Sequence, residues 1–595
     1  MLQDQLRDTY SQRIKEFQTA TRQHVRMMNY IALLRLASLI LLVWFMVLAV
    51  KNNQPLYHGV AAVMVTGFLF LVSRYNRQKD LRNLNTRLKD LNELEQACQE
   101  HRFTALPDGM EYADPSHPWS HDLDLFGKGS LYQYLNRTAT LKGSEMLAGI
   151  LTTEPGSPET IIERQGINEN LREKINFRQT FTARGSLVEE KDDDLPGILK
   201  WLTASGYIVQ HRWLFFLALG VSGIALAIIV SGILNPGVFR YLLPLLLFNY
   251  TLLSPFLMRT NRYQETISKK HELLEGYARL LEIIAANNFD HPVLQEKREK
   301  AREGMKEVQK LSRLLGFFDQ RLNMLLGALF NGLFLFDFIM MHLLESWKKR
   351  NSEKILEWIE ITGWTDAMIS LSGFAYNHPD FTLPRMNEEH NSMELHDLGH
   401  PLIPPGKRVV NHLTIIDEKI VIITGANMAG KSTFLRSLGV NFILAYAGCP
   451  VCASRFKTPF MGLCSSMRTA DSLADEESYF LAEIKKLQRI VRRMEAGHPI
   501  LILLDEVLKG TNTTDKRRGS VGLIKRSLPH PVRCFIATHD LSLGELEKEL
   551  PGQVVNYCFE SYIKELELEF DYTIRKGIAT NMNASFLMKK MGIMD

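Results

Sequence analysis

Residues 421–435 read VIITGANMAGKSTFL. The apolar run from Val421 into Thr424 predicts a buried strand, Gly425 to Ser432 spell G-x-x-x-x-G-K-S, and Thr433 onward predicts a helix. A loop of this composition at a helix N-terminus is suited to phosphate. Gly425 and Gly430 let the backbone turn its N–H groups towards phosphate oxygens, Lys431 places a point charge at the β/γ-phosphates, and Ser432 offers a hydroxyl to Mg²⁺. Such a site also needs carboxylates for metal and water. Leu501 to Glu506 (LILLDE) supplies them at the end of a second apolar run, with Asp505 as the Mg²⁺ residue and Glu506 polarising the attacking water. Lys431 and Asp505 lie 74 positions apart, room for a helix and some intervening structure before a neighbouring parallel strand.

Four blocks around these residues, in this order, resemble the ATPase domain of the MutS mismatch-repair family: Thr424 to Thr433 (TGANMAGKST), Ser478 to Glu483 (SYFLAE), Leu504-Asp505-Glu506 followed by Gly510 to Asp515 (GTNTTD), and Ala537-Thr538-His539. The resemblance implies an α/β P-loop ATPase domain of ABC type that binds ATP and Mg²⁺ and pairs with a second copy. It adds Asn427 and Thr433 to the nucleotide-binding residues. It places Ser478 against the γ-phosphate held by the partner subunit, and makes His539 the sensor of that phosphate in its own site, beside Lys431 and Glu506 as the catalytic set.

The chain has 595 residues, is 46% hydrophobic and carries a net charge of +4. It is long enough for several folded domains, and it lacks the global basic field of a dedicated nucleic-acid binder, so any DNA contact must come from a local patch. Six cysteines are too few for a disulfide framework. Cys449-Pro-Val-Cys452 has redox or zinc spacing, but with no second such pair or nearby His pair it reads as buried small residues.

Residues 1–29 are polar and basic. Tyr30 to Val50 and Leu56 to Tyr75 are then two apolar runs, each near the ~20 residues a membrane helix needs, with Arg35 placed to snorkel. Trp213 to Leu234 and Val238 to Met258, either side of Asn235-Pro-Gly237, repeat the pattern. Arg74, Arg77, Lys79, Arg212, Arg259 and Arg262 flank the pairs on their outer sides. The positive-inside rule therefore predicts two transmembrane hairpins with all ends in the cytoplasm, in an inner (cytoplasmic) membrane. A fifth apolar stretch, Met324 to Leu344, holds Asn331, Asp337 and His342. An ionised carboxylate near mid-bilayer costs about 2.5–3.5 kcal/mol, and an odd crossing strands the ATP site on the side without ATP. This stretch is therefore expected to be a buried core helix, or one in a dimer interface.

Between the hairpins, Gly129 to Leu131, Leu135 to Thr138, Thr140 to Gly143 and Ile161 to Gln165 resemble the start of the helical lever of the same family. Asp366 to Ala375 resembles the lever's returning helix, and Gly399-His400-Pro401 the entry to the ATPase domain, either near the nucleotide base or as a structural turn. The expected domains are 1–29, a cytoplasmic segment; 30–75, hairpin one; 76–126, a helical linker whose Pro, Asp and His-rich part has no readable role; 127–212, the lever's first part; 213–258, hairpin two; 259–390, the lever's second part; and 391–595, the ATPase domain, with a last helix over 577–592 at a dimerising end. The fold class is thus an α/β ATPase domain, an all-α lever and four transmembrane helices. Mismatch-reading members of the family carry a Phe-x-Glu wedge, and none occurs before residue 130. The expected function is a membrane-tethered, dimeric ATPase contacting double-stranded DNA without reading mismatches. An ABC-type transporter subunit and an ATP-gated scaffold for another protein are the alternatives; against the transporter, Ser478-Tyr479-Phe480 stands where a transporter signature belongs.

Overall fold

The computed structural model describes residues 2–52, 55–191, 193–203, 211–267, 270–387, 392–468, 479–508, 510–564 and 567–580. Among them are ten strands: β1 (Arg385–Asn387), β2 (Met393–Leu398), β3 (Asn411–Ile415), β4 (Ile420–Gly425), β5 (Arg455–Pro459), β6 (Gly462–Ser466), β7 (Ile500–Asp505), β8 (Val532–Thr538), β9 (Val554–Lys564) and β10 (Glu567–Lys576). β4 and β8 are buried at every position, which is why they read as unbroken apolar runs: a central parallel strand is covered on both faces. The main sheet runs β10-β9-β4-β8-β7-β6, parallel from β9 to β6, with β10 closing the edge as an antiparallel hairpin. A smaller sheet, β1-β5-β2-β3, lies at the entrance to the domain. One expectation needs correcting here. β7, which ends in Asp505, does not neighbour the loop strand β4, because β8 is inserted between them and brings His539 to the middle of the site. Sequence distance cannot report such a crossover.

Up to Asn377 the elements of the expected lever segments are all helices; β1, inside the expected bound at 390, belongs to the small sheet. The lever's backbone is Lys354–Asn377, buried along nearly its whole length, against which Leu141–Thr152 and Pro158–Arg172 pack. The approach is close: a Cβ on Gly143 would sit 2.3 Å from Asp366 Oδ2, and one on Gly363 2.6 Å from Lys142 Cγ. Asp366 in turn accepts from Ala139 N, Thr140 N and Thr140 Oγ1 at 2.8–2.9 Å, tying the returning helix to the N-terminus of Leu141–Thr152.

The polar N-terminal segment is not a unit separate from the first hairpin. It forms one 51-residue helix, Leu2–Asn52, with the apolar run, and the return leg Pro55–Gln99 likewise runs 45 residues through the expected boundary at 75. Each helix is roughly 70 Å long, over twice a ~30 Å hydrocarbon core. The polar halves form a stalk seated on the lever. Tyr10 Oη donates to Asn377 Oδ1 at 2.6 Å, Asn92 and Gln179 exchange amide hydrogen bonds, and Arg137 pairs with Glu95 at 2.8 Å. Arg35 lies over the rings of Tyr75 and Phe68 on the facing leg, at 5.0 and 5.8 Å.

Four helices are long and apolar enough to cross a membrane, two in each hairpin, or five if the bent pair after residue 323 counts as one. That pair departs from the expected single helix. Met324 to Leu344 is broken at Leu335, which adopts a left-handed φ of 50°, into Met324–Phe334 and Phe336–Asn351 at 88° to each other. Phe336–Asn351 is buried between Pro292–Asp319 and the second hairpin, which it meets through Phe338 and His342. Met324–Phe334 lies on the second hairpin with Met324 and Leu325 more than four-fifths exposed.

β9 and β10 form an antiparallel hairpin with a register irregularity between Phe570 and Ile574. Most of the expected last helix, from residue 581, lies outside the described residues, and Gly577 to Thr580 before it is not helical.

Candidate functional site at the carboxyl edge of the sheet

β4 ends at Gly425, and the helix Lys431–Tyr446 starts directly after Gly430. Both glycines are obligatory. Gly425 has φ 150° and a Cβ there would sit 2.6 Å from the Phe559 carbonyl oxygen; Gly430 has φ 108° with Tyr572 3.2 Å from its would-be Cβ. The β9–β10 hairpin thus presses on the loop from outside. Asn427 and Met428 at the tip are exposed. Lys431 is buried to its tip, and its Nζ donates to the carbonyls of Gly425 at 2.7 Å and Ala426 at 2.9 Å, so the ammonium hangs over the mouth of the loop. Ser432 is half-buried and Thr433 exposed in the first turn of the helix.

Parallel register carries the other residues to the same edge. Thr424 pairs with Thr538 and Ala537 with Asp505, so the loop from Ala426, His539 and Glu506 each follow the end of one of three adjacent strands. Glu506 N donates to Ala537 O at 2.9 Å, and His539 Nδ1 lies 3.4 Å from Glu506 Oε1. Glu506 and Leu508 both have left-handed φ, 51° and 61°. Such a turn costs roughly 1–2 kcal/mol per residue unless it is held. The holder is Glu483, 3% exposed, whose Oε1 accepts the Leu508 N–H. Glu483 stands in the SYFLAE block, but only the fold shows that its carboxylate reaches the turn after Asp505-Glu506. Ser478, the residue expected to act on the partner's nucleotide, lies outside the described residues. Asn512, in the GTNTTD block, caps the helix Thr513–Ser527 through Asp515 N.

Sequence reasoning also missed a strap from the stretch with no readable role. Asp122, 1% exposed, accepts from Lys486 Nζ at 2.6–2.7 Å, from Ser465 Oγ at 2.7 Å and from Arg468 N at 2.9 Å. Asp124 pairs with Arg436 on the loop helix at 3.1 Å, and Leu123 packs where Gly439 leaves room. One short segment thereby joins the loop helix, β6 and the helix Tyr479–Glu495. His-Asp-Leu-Asp has no local signature; only the fold shows what it meets.

His400 serves a turn. Its Nδ1 accepts from Leu402 N at 3.3 Å, and burial beside Arg436 and Arg408 pulls it down to about 4, so the ring is neutral. Cys449 and Cys452 are buried free thiols, both pushed up by burial, Cys452 to about 11. Among the described residues no cluster of His, Cys, Asp and Glu could hold a metal.

Fold and site together define a class: a mixed α/β domain whose glycine-rich loop, at the carboxyl ends of parallel strands and the N-terminus of a 16-residue helix, presents backbone N–H groups to an anion. Residues 421–590 match the family model of MutS domain V. The C-terminal part aligns with proteins named DNA mismatch repair protein MutS: at 31% identity over 252 residues in Leptospira interrogans, covering 41% of this chain and 29% of that protein, and at 30% over 251 residues in Thermotoga maritima, covering 42% and 31%. The Chlorobium limicola protein is 35% identical over 179 residues, covering 28% and 20%. Over that C-terminal part the chain is similar to these proteins and to MutS domain V. It spans less than a third of the length of these curated relatives.

Proposed function

We propose that the protein is a membrane-tethered ATPase of the P-loop, ABC-like type, working as a homodimer and contacting DNA without reading mismatches. The observation that carries the ATPase reading is the convergence of the loop, Asp505, Glu506 and His539 on the ends of β4, β8 and β7. The residues fit a nucleotide with Mg²⁺: the loop amides and Lys431 would hold the phosphates, and Ser432 and Asp505 would supply oxygen ligands to the ion. Bound there, Mg²⁺ would neutralise charge on the β- and γ-phosphates. Glu506, in a turn held by Glu483, is the base that takes the proton of the attacking water, and His539 beside it reports the state of the γ-phosphate. Asn427 and Thr433, exposed at the loop tip and first turn, have room to contact the nucleotide.

Dimerisation follows from the family resemblance, with Ser478 closing the partner's site. Tethering to the cytoplasmic membrane is supported by the four long apolar helices and the basic residues flanking each hairpin. The DNA reading rests on the names of the relatives. That it omits mismatch reading is supported by the apolar hairpin that interrupts the expected lever. Glu506→Gln traps ATP and tests the dimer: sedimentation of this variant should show ATP-dependent doubling of mass, lost in the double variant with Ser478→Ala. A Glu506→Gln protein that stays monomeric with ATP bound contradicts the composite site.

A further inference from the structure

The helix Met324–Phe334 carries no charge and ends at the left-handed Leu335. At roughly 16 Å it covers about half of a ~30 Å hydrocarbon core. Its neighbours trace a path in and out. Just before it, Arg321 bonds Asn261 and Gln264 near the foot of the second hairpin, and Asn323 caps its first turn. Along its length, Tyr250 Oη donates to Ala328 O at 2.7 Å, then Asn249 Nδ2 to Gly332 O at 2.7 Å, then Ser222 Oγ to Phe334 O at 3.0 Å. Ser222 is ten residues into Arg212–Leu234, about 15 Å from its basic end, so Phe334 sits near mid-span. The next helix comes back. Phe338 meets Phe256, Met341 meets Thr260, His342 stacks on Phe215 and Lys348 donates to Trp201 O, each nearer the basic end of the hairpin. Arg321 clasps both oxygens of Asp337 at 2.9 Å and Asn331 takes its remaining contacts, so entry and exit are stitched together and the buried carboxylate is paired.

Helix ends inside hydrocarbon are tolerated only where their backbone groups find partners, and here hairpin side chains supply them. The outward face of the half-helix, Met324, Leu325 and Leu329, is exposed, as are Leu243, Leu247 and Phe248 on the hairpin leg it packs against. We infer that Met324–Phe334 is a re-entrant half-helix whose outward face meets the acyl chains of the cytoplasmic leaflet. The chain therefore crosses four times, and the lever is joined to the bilayer at a third place besides the two hairpins. This rests on the membrane reading above.

All six cysteines are buried, so an introduced cysteine reports its own position. Nitroxide labels at Leu329→Cys, Leu247→Cys and Lys310→Cys in the full-length protein in lipid vesicles would be compared by collision with oxygen and with a water-soluble nickel chelate. Leu329 and Leu247 should favour oxygen several-fold over the exposed lever position Lys310. A Leu329 label that behaves like Lys310 while Leu247 stays in lipid overturns this inference alone; if both behave like Lys310, the membrane reading falls with it. Leu322→Cys and Lys349→Cys should react with an impermeant reagent only from the cytoplasmic side. Reaction of either from the far side means a fifth crossing and overturns the re-entrant path.

Discussion

Glu483 shows how the turn that carries Glu506 can depend on a buried residue outside the glycine-rich loop. With Glu506 and Leu508 both at positive φ, the segment after β7 holds only while the Leu508 N–H has its buried acceptor. Glu483→Ala leaves that donor unpaired at a cost of about 1–3 kcal/mol. Because the glycine-rich loop is untouched, ATP affinity measured by titration should stay near the parent value while phosphate release falls by roughly tenfold or more. Equal loss of both assigns Glu483 to general stability instead. At this scale much was legible. The strand-loop-helix around Gly425 to Ser432 was legible because glycines and a lysine in that pattern are written locally; that β8 would separate Asp505 from the loop strand was not. Nor were the partners that steady these residues. Asp122, Phe559 and Tyr572 come from segments far away in sequence, and nothing in their neighbours names what they touch.

The lever's joint is a matter of elements. Asp366 ties the returning helix Lys354–Asn377 to the N-terminus of Leu141–Thr152, and it is fully buried with Oδ1 lacking a partner. Burial pushes its carboxyl up to about 7 despite the three donors at Oδ2. Between the ordinary carboxylate value and about pH 7 the folded state then holds a proton the unfolded chain has lost, so stability falls as pH rises through that window. Asp366→Asn carries no titrating proton. The parent protein in detergent should lose more thermal stability from pH 5 to pH 8 than the Asn variant does; equal losses in the two remove Asp366 as the source. Elements were legible where they are long and strongly patterned, as in the apolar runs; the helix over Asp366 to Ala375 was read from the family resemblance. Two were misread for physical reasons. The first hairpin and its polar stalk are continuous helices because a change from apolar to polar residues need not interrupt backbone hydrogen bonding. Met324 to Leu344 breaks at a leucine, where neither glycine nor proline marks the bend.

On the scale of the molecule, stalk, lever and nucleotide site form a connected series. The stalk docks on the lever through Tyr10–Asn377 and Glu95–Arg137, and the strap at Asp122 leads from the end of the stalk helix to the loop helix and to Tyr479–Glu495. In the proposed function, nucleotide state at the carboxyl edge of the sheet is felt at the membrane through this series. A DNA partner would meet local charge only, so duplex binding should be weak, fall with salt, and show no preference for mismatched duplex in competition. A preference of tenfold, about 1.4 kcal/mol, means another segment reads the mismatch. ATP hydrolysis at this site is tested by phosphate release beside ATP binding for the parent, Lys431→Ala and Glu506→Gln. Lys431→Ala should lose both binding and turnover, whereas Glu506→Gln should bind ATP yet turn over roughly 10²–10⁴-fold more slowly, since its amide cannot take the water's proton. Parent-rate phosphate release by Glu506→Gln would remove Glu506 as the base and this site as the place of hydrolysis.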